Sequence, residues 1–258
     1  MYRVVDTHAH LDDLESVDAL LSQAGRMGVV AVVGVGSGRG SNEKVAEICR
    51  RHPSFAYPAF GLHPWELAGL GVRELEDNLR YLDDHLGLAV AMGEIGLDYS
   101  KRLVKEVPKQ YQKDVLRRLL DVARRHQKAV VIHSRYAWKD ALEVVRESGV
   151  ARAVFHWFTG FSSVLREILG AGYFVSATPA AEYHEEHRRA IRATPCEALL
   201  LETDSPVSYG REQRFRARPG DVLRTLSAVA LLKELDEGVL ADITTANAAR
   251  FFGLPFES

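Results

Sequence analysis

The sequence VVAVVGV at residues 29–35 contains only aliphatic residues and glycine. A run of this kind, without polar alternation, is typical of a β-strand that is buried on both faces. Seven further runs of similar composition are spread along the chain. They lie at residues 3–6, 56–61, 88–94, 129–133, 153–156, 173–176 and 198–202. The sequence therefore predicts eight short strands inside the protein.

Helical segments separate these runs. The clearest lie at residues 13–27, 43–52 and 106–126, and residues 239–252 are predicted to form one or two closing helices. One apolar stripe at helical spacing consists of Val115, Leu116, Leu119, Leu120 and Ala123. Eight strands that alternate with helices indicate an α/β protein with a closed parallel sheet, a (β/α)₈ TIM barrel.

The length of the chain agrees with this fold. A single barrel takes about 250 residues, so we expect one domain over residues 1–258. A doubly wound open sheet is the alternative, but it usually has fewer strands and often a glycine-rich phosphate loop after the first. The segment GVGSG at residues 34–38 follows the second run and lacks the Gly-x-Gly-x-x-Gly spacing. We therefore favour the barrel.

The composition is that of a globular protein, with 47% hydrophobic residues and a net charge of −2. This charge gives no general attraction to nucleic acid or membranes, so an anionic substrate must be held by local groups. The two cysteines, Cys49 and Cys196, form no Cys-x-x-Cys motif, which fits a reducing compartment. We see neither a signal peptide nor an apolar run that could span a bilayer. We therefore expect cytoplasmic residence.

The placement of the ten histidines predicts where the functional site lies. Five of them lie where strand runs end, which in a barrel is the face that carries active sites. They are His8, His10, His63, His133 and His156. His52, His85 and His126 lie near helix ends, where a cation complements the helix dipole. His184 and His187 lack the His-Glu-x-x-His spacing, and we expect them on a solvated helix face.

His8 and His10 close the first strand run. Residues two apart in a strand point the same way, so the two imidazoles converge, as transition-metal ligands do. Taken alone, the pattern fits a hydrogen-bonded histidine pair equally well. Four further groups end other runs at equivalent places: Glu94, His133, His156 and Asp204. Burying six titratable groups together is costly without a compensating cation, so the sequence predicts a metal centre in the barrel mouth.

Six motifs, in order and at fitting spacing, resemble the TatD family of metal-dependent deoxyribonucleases, within the amidohydrolase-like barrel enzymes. They are VDTHAHL at residues 5–11, GLHP at 61–64, GEIGLDY at 93–99, VIHSR at 131–135, HWFTG at 156–160 and LETDSP at 201–206. The closing NAARFF at residues 247–252 is similar to the terminal pattern of the family. The resemblance covers the whole chain.

The resemblance implies two divalent metal ions, whether Mg, Mn or Zn. By the family pattern, one ion would be bound by His8, His10 and Asp204, and the other by His133 and His156. Glu94 would bridge the two ions. Several related barrels use a carbamylated lysine at this strand, but residues 88–94 contain no lysine. His63 resembles the family histidine that contacts the substrate phosphate.

Three neighbours of the metal motifs depart from the family pattern. Trp157 stands where the family often has cysteine, and Tyr136 where it often has aspartate. Ala217 replaces a common asparagine in the loop after the eighth strand. The predicted ligands are therefore complete, whereas positions that face the substrate are altered. The reaction class follows more directly from the resemblance than the substrate does.

Two such ions can activate a water molecule and clamp a phosphodiester. Asp204 would accept the proton of that water while it holds one ion. Glu202 either orients a metal ligand or forms a buried structural pair, and Asp6 stands in the same relation to the first strand. Asp98, which we place in a loop after the fourth strand, either supports the site or is a turn residue.

Several groups on the same face could contact a nucleic acid. The planar guanidinium of Arg135 could bind phosphate or form a structural ion pair. The loop after Asp204 carries Phe215 among four arginines, namely Arg211, Arg214, Arg216 and Arg218. Such a cluster fits a groove for a strand, or only a solvated surface. Trp65, Trp138 and Trp157 could stack on bases or pack beneath the loops, and Trp157 is the best stacking candidate.

We therefore expect a divalent-metal-dependent hydrolase, a TatD-type deoxyribonuclease that acts exonucleolytically on single-stranded DNA or 3′ ends. The alternative is an acyl, ester or amide hydrolase on the same centre, such as an enzyme that resembles D-aminoacyl-tRNA deacylases. A binding protein without activity is the third interpretation, and the six metal-competent side chains argue against it. We expect neither a membrane partner nor an obligate protein partner.

Overall fold

Eight parallel strands form the centre of the computed structural model, which describes residues 2–255. Each strand pairs with the next one in chain order. The strands are β1 Val4–Ala9, β2 Val29–Val35, β3 Ala56–Phe60, β4 Ala91–Asp98, β5 Ala129–Arg135, β6 Ala153–Phe155, β7 Phe174–Ala177 and β8 Leu199–Leu201. The predicted α/β class and the (β/α)₈ TIM barrel are confirmed.

Ten α-helices surround this sheet within the described residues. They are α1 Val17–Met27, α2 Arg39–Arg51, α3 Val72–His85, α4 Leu103–Glu106, α5 Lys109–Arg125, α6 Trp138–Ser148, α7 Ser162–Gly170, α8 Glu185–Ala193, α9 Val222–Lys233 and α10 Glu237–Phe252. The predicted helix 106–126 starts at Lys109 instead, because Pro108 disfavours a helical conformation of the residue before it. The closing segment is one helix, and the Asp236 side chain caps its first turn.

The buried apolar residues form two main layers. The larger layer lies between the sheet and the helices, and it includes the predicted stripe of α5. The second layer combines residues from the strands, such as Ala129 and Val131, with Phe251 and Phe252 of α10. His133 follows Ala129 and Val131 at alternate positions of β5, so it lies further along the same side of the strand. The apolar interior thus gives way to polar groups at the ends of the strands.

The fourth strand differs from the predicted run 88–94. It spans Ala91–Asp98, and its pairing with β5 continues as far as Asp98, which lies opposite Arg135. The apolar run is interrupted at Glu94 because this part of the strand carries two kinds of side chain. Ile95 and Leu97 pack in the core, whereas Glu94 and Asp98 contact His133 in the polar mouth. Asp98 is therefore the last residue of a strand, and its predicted place in a loop is wrong.

The three histidines expected at helix ends are found there. His52 follows α2 and His126 follows α5, while His85 is the last residue of α3. The ring of His52 lies 2.5 Å from Asp18, and that of His126 lies 2.8 Å from Asp83. These contacts are on the outside of the barrel, so the three histidines have local structural roles.

The remaining structural expectations concern cysteines, membranes and domains. Cys49 is buried, Cys196 is half-buried, and both are free thiols. No helix within residues 2–255 is long and apolar enough to cross a bilayer. The eight-stranded barrel draws on most of the chain, from Val4 in β1 to Phe252 in α10. One domain over residues 1–258 stays a prediction, since residues 1 and 256–258 lie outside the described part.

The expectation for His187 is wrong, because its side chain is fully buried. It precedes Ala190 and Ile191 by three and four residues, so it lies on the buried face of α8. Its Nε2 accepts the backbone N–H of Thr178 at 3.1 Å, and its Nδ1 donates to the carbonyl oxygen of Phe158 at 2.9 Å. His184 precedes the helix as its capping residue rather than lying on its face, and its side chain is 41% exposed.

Acidification should lower the free energy of unfolding because of the buried His187. Burial lowers the pKa of its imidazole to about 4, against about 6.5 in an unfolded chain. The unfolded state therefore binds one extra proton between these values. The stability that this neutral ring contributes is complete above about pH 6.5 and falls towards pH 4, by up to about 1.4 kcal/mol per pH unit.

The free energy of urea unfolding at pH 7, 6 and 5 measures this effect. His187→Gln should lose less stability on acidification than the wild type, because glutamine takes up no proton. His85→Gln, at the end of α3 on the outside of the barrel, is the matched control and should keep the wild-type slope. Equal slopes in the wild type and His187→Gln would contradict the prediction.

Candidate metal centre

One mouth of the barrel brings together all six predicted metal ligands. His8 lies in β1, Glu94 in β4 and His133 in β5, whereas His10, His156 and Asp204 follow β1, β6 and β8. Parallel strands all end at the same face, so residues that are distant in sequence converge there. His8, Glu94, His156 and Asp204 are buried, while His10 and His133 are half-buried. The convergence inferred from the strand pattern is thus present.

Four of these residues form a first donor cluster. His8 Nε2 lies 3.4 Å from His10 Nε2 and 3.4 Å from Glu94 Oε2. It lies 3.6 Å from Asp204 Oδ1. His10 Nε2 lies 3.5 Å from Glu94 Oε2 and 3.4 Å from Asp204 Oδ1. Five of the six distances between these four donor atoms therefore lie between 3.4 and 3.6 Å.

This spacing fits a bound cation. Four atoms placed about 2.1 Å from a tetrahedral centre, as in zinc sites, lie about 3.4 Å from one another. Direct hydrogen bonds between the same groups would be shorter, about 2.7–3.2 Å. Mixed imidazole and carboxylate ligands suit Zn, Mn and other divalent ions. The residues present are therefore those that a divalent ion requires.

Glu94 also faces a second donor cluster. Its Oε1 lies 2.7 Å from His133 Nδ1 and 2.7 Å from His156 Nε2. These two ring nitrogens are 3.4 Å apart, and His63 Nε2 lies 3.7 Å from the same Glu94 oxygen. One carboxylate thus directs one oxygen to each of two clusters. A carboxylate in this position would be able to contact an ion in each cluster.

Two buried carboxylates stand behind the second cluster. Asp98 Oδ2 lies 3.2 Å from His133 Nε2, and Glu202 Oε1 lies 3.4 Å from His156 Nδ1. A carboxylate on the far nitrogen of a ligating imidazole fixes its tautomer and orientation. Glu202 also accepts the backbone N–H of Trp157 at 3.1 Å. Both carboxylates therefore lie where they can orient a histidine towards Glu94.

Asp6 has a structural role in the closure of the barrel. Its carboxylate accepts bonds from the backbone N–H and the hydroxyl of Thr203, at 2.9 and 2.6 Å. Beside it, the N–H of Asp204 donates to the carbonyl of His8, and the N–H of His10 donates to the carbonyl of Ser205. Closure between β1 and the segment after β8 thus places Asp204 beside the first-strand histidines.

The electrostatics of the mouth demand positive charge. Burial opposes ionisation of Glu94, but the surrounding histidines outweigh it and hold the pKa of the carboxyl well below its usual value. In the same way, His10 and the other histidines lower the pKa of Asp204 to about 2 despite burial. Burial would lower the pKa of His10, but Asp204 and Glu94 raise it to about 9. Protons on imidazoles thus supply charge that a cation can supply instead.

His63 lies close to the second cluster. Its Nδ1 accepts the backbone N–H of Trp65, which leaves Nε2 facing Glu94. Its ring contacts that of His133 edge to face, with 4.4 Å between the ring centroids. Burial lowers the pKa of His63 to about 3, so the ring is neutral. Donor atoms of His63, Glu94 and His133 lie within 4.8 Å of one another. Because Nδ1 of the neutral ring is an acceptor, Nε2 carries the proton and can donate to a substrate oxygen.

The other two predicted substrate contacts lie further out. Arg135 is exposed at the end of β5, with its guanidinium carbon 5.6 Å from the centre of the Tyr136 ring. Trp157 is half-buried, and its ring centroid lies 5.3 Å from that of Tyr209. Tyr209 belongs to a hairpin of two short strands, β9 Ser208–Tyr209 and β10 Phe215–Arg216. A stacking role of Trp157 stays a prediction.

Two residues position Asp98 in a way that the sequence alone did not predict. Trp65 Nε1 donates to Asp98 Oδ2 at 2.6 Å. The fully buried Gln112 bonds to both the backbone N–H and the carbonyl of Asp98. Gln112 precedes Val115 and Leu116 by three and four residues, so helical periodicity places it on the buried face of α5. A polar residue inside that stripe was the available signal.

The barrel and its paired clusters define the class of protein. Eight parallel strands deliver imidazoles and carboxylates to one mouth, and the donor atoms of the first cluster are spaced for a divalent cation. This is the arrangement of metal-dependent hydrolases built on TIM barrels.

Comparison with known proteins identifies the family. The model of the TatD-related DNase family matches residues 5–253. Human "Deoxyribonuclease TATDN3" is 30% identical, over 96% of this chain and 94% of its own length. A Bacillus subtilis protein described as a metal-dependent hydrolase is 31% identical, over 96% and 98%. A TatD homologue from Escherichia coli, of known crystal structure, has 25% identity and a TM-score of 0.86, covering 98% and 99% of the two chains. The chain belongs to the TatD-related DNase family.

Membership in this family confirms the resemblance drawn from the motifs. The protein is a hydrolytic enzyme of a metal-dependent family, and its use of divalent metal agrees with the donor clusters. The predicted fold, family and enzyme class are therefore all confirmed.

Proposed function

We propose that the protein is a deoxyribonuclease that hydrolyses phosphodiester bonds of DNA with two divalent cations, whether Mg, Mn or Zn. The observation that carries this proposal is the position of Glu94, with one oxygen in each donor cluster. The human relative named as a deoxyribonuclease supports DNA as the substrate. Such a pair of cations supplies Lewis acidity and lowers the pKa of water.

The residues of the two clusters would divide the work. In this proposal, His8, His10 and Asp204 would hold the first ion, and His133 and His156 would hold the second. Glu94 would contact both ions. Asp204 is at the edge of the first cluster and only 6% exposed. Its carboxylate is ionised and Oδ1 faces the first cluster, so the other oxygen, Oδ2, can accept the proton of the attacking water. Asp98 and Glu202 hold the histidines of the second cluster in orientation.

Positive charge around the mouth favours a nucleic acid strand. The exposed Arg211, Arg214, Arg216 and Arg218 lie in and beside the β9–β10 hairpin. Within residues 2–255 none of these four guanidinium groups forms an ion pair with a carboxylate. Those of Arg211 and Arg216 donate to backbone carbonyls, and that of Arg211 also lies over the Tyr183 ring. Unpaired guanidinium groups attract phosphates. We therefore propose single-stranded DNA or 3′ ends as the substrate, with Arg135 and His63 as further contacts.

Hydrolysis of end-labelled single-stranded DNA tests the proposal. We expect cleavage with added Mg, Mn or Zn, none after chelation, and a fall in kcat of about 100-fold in Asp204→Asn, as when one stabilising group of a transition state is lost. Asp242→Asn, an exposed aspartate of α10, is the matched control and should keep wild-type activity. Intact DNA with every metal, together with turnover of an aminoacyl ester, would favour the acyl hydrolase instead.

A circular single strand distinguishes exonucleolytic from endonucleolytic cleavage. An exonuclease degrades linear single strands and leaves circular ones intact, whereas cleavage of circles would establish an endonuclease. Cytoplasmic residence and the lack of an obligate protein partner stay predictions.

A further inference from the structure

Three aromatic side chains form a row on the face that carries the metal centre. Tyr136 follows β5, Trp138 begins α6 and Phe161 immediately precedes α7. The ring centroids of Tyr136 and Trp138 are 6.0 Å apart, and those of Trp138 and Phe161 are 5.5 Å apart. Tyr136 is 60% exposed and Phe161 is 67% exposed. The row thus presents two outer rings to solvent. One of them, Tyr136, is three residues after His133 in the chain.

The local backbone holds this row in place. Tyr136 has a φ of 56°, a left-handed conformation that is rare for a bulky residue and clusters at functional sites. The Trp138 ring packs on Gly160, where an added Cβ would lie 2.6 Å from Trp138 Cγ. The Trp138 ring is therefore a fixed spacer between the two exposed rings. Exposed rings bury little apolar area, so they add little to the stability of the fold, and stability does not account for their placement.

The charges near the row complement a polyanion. Residues 134–139 and 157–163 carry Arg135 and Lys139 and contain no acidic residue. Arg135 lies over the Tyr136 ring, and Lys139 is 75% exposed and also pairs with Glu143 at 3.9 Å. Exposed aromatic faces interleaved with cations are the means by which proteins bind single strands without sequence preference. A folded duplex offers no free base faces to such rings.

We propose that Tyr136 and Phe161 form a stacking platform that binds unpaired bases of a DNA strand whose backbone enters the metal centre. This inference rests on the proposed function and names where the strand lies beyond the cleaved bond. Arg135 contacts the phosphate that adjoins the stacked base.

Binding of a fluorescein-labelled oligothymidylate, measured by anisotropy, tests the platform. The measurement uses the Asp204→Asn protein with the divalent metal that supports cleavage, so that the strand stays intact. Tyr136→Leu and Phe161→Leu should each raise the Kd about fivefold or more, as expected when a stacked base is lost. Tyr136→Phe should retain wild-type affinity. Tyr2→Leu, an exposed tyrosine just before β1 at the other end of the barrel, should leave the Kd unchanged.

A strand with abasic sites in place of the stacked bases separates stacking from other causes. On that strand, the leucine variants and their parent should bind alike. Equal losses on both strands, or unchanged affinity of both leucine variants, would overturn the platform while DNA hydrolysis by the wild type still supports the nuclease. Failure of the wild type to hydrolyse any DNA would overturn the proposed function, and the platform with it.

Discussion

Glu94→Gln is expected to lower kcat for DNA hydrolysis about 1,000-fold while the barrel stays folded. The substitution preserves the shape of the side chain but removes the charge that both donor clusters share. An amide also presents an NH₂ group to one of the clusters, where a metal ligand must instead offer a lone pair. A loss of about 4 kcal/mol in transition-state stabilisation is reasonable when a two-metal site is broken, which corresponds to about three powers of ten.

Three measurements check this expectation: kcat with saturating metal, the metal content of the purified protein, and the thermal unfolding temperature. The variant should bind less metal and unfold close to the wild-type temperature. Glu147→Gln, an exposed glutamate of α6, is the matched control and should match the wild type in all three. If Glu94→Gln retained more than a tenth of wild-type kcat, the bridging role would be wrong.

Gly96→Ala is expected to destabilise the fold more than any surface substitution. Gly96 has a φ of 153°, and an added Cβ would lie 2.0 Å from the carbonyl oxygen of His133 in the neighbouring strand. Relief of that contact requires β4 and β5 to separate, and these strands hold Glu94 and His133. Overpacking together with backbone strain should cost about 3 kcal/mol or more.

Thermal and urea unfolding measure this cost. For a protein of this size we expect a fall in Tm of about 10 °C, with loss of metal affinity even below the transition. Gly87→Ala is the control, because an added Cβ there meets no atom within 4 Å. A Gly96→Ala protein as stable as Gly87→Ala would show that the backbone adjusts at this site, contrary to the expectation.

Sequence patterns were sufficient to predict the barrel and its candidate metal ligands. Runs buried on both faces have a composition that amphipathic helices lack, so eight strands can be counted without any contact being known. The end of a parallel strand marks the mouth, and therefore His8, His133 and Asp204 could be assigned to one site. The motifs around them then identified the family.

Local patterns failed where burial depends on what lies opposite. His187 has charged neighbours in sequence, yet Thr178 and Phe158 enclose its ring. Asp98 follows the apolar run of β4, yet the pairing with β5 carries the strand on to it. Neither partner is visible from a window of a few residues.

The sequence by itself determined the fold, the family and the identity of the candidate ligands, because periodicity and composition are local properties. Only the tertiary structure decided how those ligands divide into two clusters with Glu94 between them. It also assigned Asp98 and Glu202 to particular histidines, and it brought Tyr136 and Phe161 into one exposed row. Distances and orientations between side chains on different strands depend on register, closure and packing, and these arise only when the whole barrel forms.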